Sequence, residues 1–212
     1  YIYLSLFLTL SFWIYPLVTV GLRQGIAFII IIFLLFRKED IHFLLKILII
    51  LFASLFHFSA MVLLPYVFIE KLLGLRIKFL DTLFIIIFLL YILGVTQHFG
   101  LFFIDITSSL NISIRALGNE ESLYKTGFSI YKAIAIGLPA VLFRFTIYSR
   151  GFKNILGSRI YIYFSYVSIV GMLLSSLPYH DRILLYGWGI TPIMFSCFLI
   201  HFLVSFRKLL KS

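Results

Sequence analysis

Cysteine is almost missing from this chain. The single Cys197, set in an apolar run, excludes an internal disulfide and a cysteine-based metal site. Acidic residues are also scarce, eight against 18 lysines and arginines. No P-loop, Gly-x-Ser-x-Gly elbow, His-Glu-x-x-His helix or dinucleotide fingerprint occurs, and the five histidines are too dispersed for zinc-site spacing. No metal and no cofactor is therefore expected. No signal-peptide architecture precedes the first apolar run, and neither an internal repeat nor a soluble domain is evident.

What the chain has in abundance is apolar surface: 62% of 212 residues are hydrophobic, with 25 Phe and 13 Tyr, and the mean hydropathy is +1.11. Runs such as Phe28–Phe36 and Leu83–Leu93 do not alternate with period two, which argues for helices over a β-barrel. The expected fold is all-α, a polytopic transmembrane helical bundle with about 8 membrane segments, some short or broken. The chain reads as one transmembrane domain over residues 1–212, the C-terminal part of a longer protein. Its net charge of +10 fits basic cytoplasmic loops, with anionic lipid or substrate as the second cause. The expected partner is thus a lipid bilayer, not nucleic acid.

Apolar segments fall near 1–20, 24–36, 83–99, 128–147, 160–178 and 183–205. Ile41–Leu73 is about 50 Å long as one helix, against a hydrocarbon core of about 30 Å. Two short passes broken near Phe56–Ser59 put 13 of the 18 basic residues on one side, whereas a single pass divides them 11 to 7. The two-pass topology gathers Arg23, His57, His98, residues 100–127 and the His180-Asp181-Arg182 turn on the outer face.

These polar residues are the candidates. Arg23, in GLRQGIA, interrupts apolar sequence on both sides, which is costly in lipid. Its guanidinium fork fits phosphate or pyrophosphate, with Gln24 adding an amide contact; a snorkelling arginine is the ordinary alternative. His57, with Ser54 and Ser59 nearby, suits a general base or a sugar-hydroxyl contact, against a plain buried histidine. Arg182 opens a helix with Tyr186 one turn later, so both can face one cavity beside His180 and Asp181. Positive charge at a helix N-terminus is unfavourable, so Arg182 calls for an anionic partner, Asp181 or a ligand. The polar stretch from Gly100 to Gly127 adds Asp105, Arg115 and Tyr124 as substrate-binding candidates, with solvated loop residues as the alternative reading.

Taken together, GLRQGIAFIIIIFLLFRK, the later LFASLFHFSAMVLLPYVF and the closing DRILLY resemble the EpsG-like branch of the bacterial O-antigen (Wzy class) and exopolysaccharide polymerases. The resemblance covers about residues 20–75 and 178–206; Thr19-Val20 stand where that family often has Asn, and its N-terminal acidic and aromatic motifs are absent. It implies a GT-C-like, inverting, metal-independent glycosyltransferase at the periplasmic face of the bacterial inner membrane. Such an enzyme joins repeat units carried on undecaprenyl pyrophosphate into O-antigen, capsular or exopolysaccharide. A chain-length regulator is a candidate partner. Arg23, Arg182 and His57 become candidate catalytic residues, the arginines on pyrophosphate and His57 on the acceptor hydroxyl. A flippase of lipid-linked oligosaccharide is the competing class, and a purely structural membrane subunit the third.

Overall fold

A computed structural model describes residues 21–36, 41–73, 77–99, 101–102, 127–148, 155–177, 180–192, 194–195, 198–199 and 202. Among them the secondary structure is helical throughout, with no strand: α1 (Leu22–Phe36), α2 (Phe43–Phe56), a 3-10 helix (Phe58–Leu63), α3 (Leu64–Leu73), α4 (Ile77–Ile92), α5 (Ile130–Tyr148), α6 (Ile155–Leu173) and α7 (His180–Trp188).

The long segment 41–73 does break at the histidine. His57 is extended (φ −151°, ψ 116°), ending α2, and the 3-10 helix begins on the next residue. Pro65 sits in the first turn of α3, where its missing N–H leaves no helical bond unmade. The chain then doubles back. Lys46 near the start of α2 meets Glu70 near the end of α3 at 2.9 Å, and Phe43 packs edge-on against Phe68. Arg159 of α6 approaches the same carboxylate, at 3.6 Å.

α6 is the central helix. Ile160, Ile162, Tyr163, Phe164, Val167 and Met172 are buried on all its sides, as expected of a helix without a polar face. α1 buries Gln24, Ala27, Phe28, Ile31 and Leu35, the spacing of one helical stripe, and packs on α2 and α6. α7 packs on α6 through Leu184 and Gly171. A Cβ at Gly171 would come within 2.7 Å of Leu184 Cγ, and Leu184 is buried. Gly171→Ala is therefore expected to destabilise the fold by about 1–3 kcal/mol, read as a lower thermal midpoint of the detergent-solubilised chain.

Antiparallel order places polar groups at two opposite ends. One holds Lys46, Glu70 and Arg159, together with the Asp81–Arg144 pair and the Tyr161 hydroxyl, which donates to Asp81 at 2.8 Å. α4 runs from Ile77, ahead of the apolar run near residue 83, and so includes Asp81. Asp81 is tolerated inside the helix because α5 and α6 both satisfy it. The other end collects the starts of α1, α5 and α7 with the His57 turn.

Among the described residues no helix is long and apolar enough to cross a membrane. The helical part of the expectation is observed, while the expected spans are not. The described α-helices run from 9 to 19 residues, against the ~20 a spanning helix needs. The breaks at His57, Gly94 and Trp188 shorten what composition alone reads as continuous apolar sequence.

Candidate functional site

At the second polar end, two helix N-termini meet. Gly21, at φ +94°, makes the bend that leads into α1, a left-handed backbone that side chains other than glycine rarely adopt. Arg23 and Gln24 then lie in its first turn. Arg23 is exposed, whereas Gln24 is 4% exposed and its Nε2 donates to the backbone oxygen of Arg182 at 2.9 Å. That bond joins residues 158 apart in sequence and sets the opening of α1 against the opening of α7. The first turn of α1 carries no acidic residue. Two positive helix ends and two arginines are thus brought into one region, an arrangement suited to an anion.

The His57 turn closes the site from the third side. His57 Nδ1 lies 2.6 Å from Ser59 Oγ, which donates to the Tyr186 hydroxyl at 3.3 Å. With Ser59 donating onward, Nδ1 must hold the ring proton, so the lone pair lies on Nε2. Burial first, and then the charge of Arg182, lower the imidazole pKa from its ordinary 6.5. The ring is therefore neutral at physiological pH, the state a general base needs. Tyr186 is buried, with Phe28 of α1 against its ring at 6.0 Å in an edge-to-face contact. Gly189 lets Phe28 approach: its Cβ would clash with the Phe28 ring.

The structure thus brings Gln24, His57, Arg182 and Tyr186 together, with Arg23 beside them on the first turn of α1. It also refines their parts. The residue of the Arg-Gln pair that is buried and holds helix to helix is Gln24, while Arg23 stays on the surface. His180 and Asp181, the two residues before Arg182 in α7, engage another partner, Lys132 of α5. Lys132 Nζ is 2.8 Å from His180 Nε2 and 2.8 Å from Asp181 Oδ1. Asp181, one of the two anionic partners suggested for Arg182, pairs with Lys132. Ser54 is half-buried and donates to the Leu51 carbonyl of its own helix, and His98 is exposed at a helix end. Asp105, Arg115 and Tyr124 lie outside the described residues.

Sequence reading underrated two groups. Ser59 stood out only as a nearby hydroxyl, yet it links His57 to Tyr186. Lys132 was not singled out, since nothing local in YKAIAIG marks a contact with a residue 48 positions away.

Comparison with protein families matches residues 1–211 to the EpsG family. Neither a curated protein nor a solved structure matches the chain.

Proposed function

The chain belongs to the EpsG family, and on that premise we propose that it is a membrane glycosyltransferase that polymerises lipid-linked oligosaccharide repeat units. The observation that carries this reading is the meeting of the Arg23–Gln24 and Arg182 helix openings beside a hydrogen-bonded, neutral His57. Two arginines on two helix N-termini favour a diphosphate, and a base within the same region favours transfer to a hydroxyl.

In this reading the donor is a saccharide on undecaprenyl pyrophosphate, and the acceptor is a hydroxyl at the non-reducing end of a second unit. The acceptor oxygen attacks the anomeric carbon while the bond from that carbon to the phosphate oxygen breaks, inverting the configuration. His57 Nε2 takes the hydroxyl proton. The released pyrophosphate keeps the bond electrons, and Arg23 and Arg182 stabilise its growing charge. No step is assigned to a metal ion.

The bilayer belongs to the same proposal. Leu44, Leu48, Leu51 and Leu55 form an exposed stripe along α2, and Ile130, Ile134, Leu138, Val141 and Phe145 form one along α5. Contiguous apolar faces of this kind are suited to acyl chains. Short passes that turn back at a polar residue occur where helices line a cavity at membrane depth. The site would then face the periplasm of the bacterial inner membrane, with the Lys46–Glu70–Arg159 end at the cytoplasm.

The genetic test is deletion followed by gel analysis of surface polysaccharide. Loss of the polymer ladder with single repeat units still exported is the expected result. Loss of all exported repeat units would overturn the reading in favour of a flippase.

A further inference from the structure

Lys132 opens the buried side of α5, with its side chain 14% exposed. His180, which it contacts, is 2% exposed, and His180 Nδ1 lies 3.0 Å from the Leu177 carbonyl oxygen. A carbonyl only accepts, so Nδ1 carries the proton and Nε2 accepts from the Lys132 ammonium. The same ammonium pairs with Asp181. One cation on α5 thus holds two successive residues at the start of α7. The next residue is Arg182, which takes the Gln24 bond, and one turn further lies Tyr186, which takes the Ser59 bond.

The geometry points to Lys132 as a positioning residue: its clamp on His180 and Asp181 fixes α7, and so sets Arg182 and Tyr186 against α1 and the His57 turn. This inference rests on the transferase reading for the consequence it predicts in the reaction. Three donors on one flexible ammonium suit two acceptors on neighbouring residues.

The His180 half of the clamp needs a neutral imidazole, because a protonated ring repels the Lys132 ammonium and pairs with Asp181 Oδ1, 3.2 Å from Nε2. Among the described residues, the charged and titratable groups facing it are Lys132 from α5, Asp181 and Arg182 from α7, and Tyr91 from α4, on which the charge of Asp181 acts. Burial is the main cause that lowers the His180 pKa from 6.5; Lys132 lowers it as well, while Asp181 and the Leu177 carbonyl oppose them. Acid therefore weakens the clamp below pH 6.5, and removing Lys132 abolishes it at every pH.

The test compares wild type, Lys132→Met and Lys132→Arg as full chains in lipid vesicles, using a lipid-pyrophosphate oligosaccharide as substrate. Lys132→Met is expected to elongate about ten- to a hundredfold more slowly at equal protein. Lys132→Arg should recover most of the rate. A Met variant at the wild-type rate would overturn the inference. So would a slow variant with no recovery by Arg. Hydrogen exchange of the α7 amides, measured on the same three proteins, reads positioning without catalysis. Faster exchange in Lys132→Met, restored in Lys132→Arg, supports the clamp even if wild type makes no polymer, an outcome that would count against the transferase reading alone. Unchanged exchange overturns the clamp.

Discussion

Replacing Arg182 with alanine is expected to lower polymer formation by roughly 10²–10³-fold, the loss typical when a preorganised donor to a developing anion is removed. The contact from Gln24 goes to the backbone oxygen of Arg182, so the substitution leaves that link between α1 and α7 in place. Arg182 is also exposed, and its side chain is not part of the packed core. The defect should therefore appear in activity at normal protein level. Arg182→Lys should recover little, because an ammonium is a point charge without the planar fork that matches two phosphate oxygens. Arg23, exposed on the first turn of α1, gives the companion experiment: Arg23→Ala and Arg23→Lys should both lose polymer while expressing normally. A wild-type ladder from either Arg23 variant would remove it from the phosphate site. Gel analysis of polymer, normalised to immunoblotted protein, reads all four.

The second large effect is at His57. His57→Gln should cost about 10²–10⁴-fold in elongation rate, the usual range for a lost general base. The pH dependence gives a sharper sign. Because burial and Arg182 both lower this imidazole's pKa from 6.5, the neutral base persists below that value. Wild-type rate should be flat through neutral pH and fall only as pH drops below 6.5, through the lowered value. Arg182→Ala removes one of the two causes, so its residual activity should lose its acid side at a higher pH than wild type. An acid limb that stays in place in Arg182→Ala would mean that the arginine charge does not act on His57. Rates of single-linkage formation across pH, in wild type and Arg182→Ala, make the comparison.

Much of this site was legible before the fold because it is marked by expense. A histidine in LFASLFHFSAM and an arginine-glutamine pair between apolar runs stand out against such a background, and the breakpoint at His57 followed from helix length and charge alone. Tyr186 followed from its spacing to Arg182. The sequence did not show which member of the Arg-Gln pair is buried, since only the contact with α7 makes Gln24 the link. It also placed the last helix over 183–205, where α7 ends at Trp188. The turn at Gly189-Ile190 interrupts it, where Gly189 is pressed by Phe28; helix resumes at Thr191, with Pro192 tolerated in its first turn. Lys132 was invisible for the same reason as the Gln24 link. Both are long-range contacts, and local pattern carries no information about them.

The most direct test of the account is reconstitution. The full-length chain in lipid vesicles, given lipid-pyrophosphate-linked oligosaccharide, should release one lipid pyrophosphate for each glycosidic linkage formed, with inverted anomeric configuration. Arg182→Ala and His57→Gln should lower both products together, by the factors given above. Oligosaccharide moved across the bilayer with no new linkage and no released lipid pyrophosphate would contradict it.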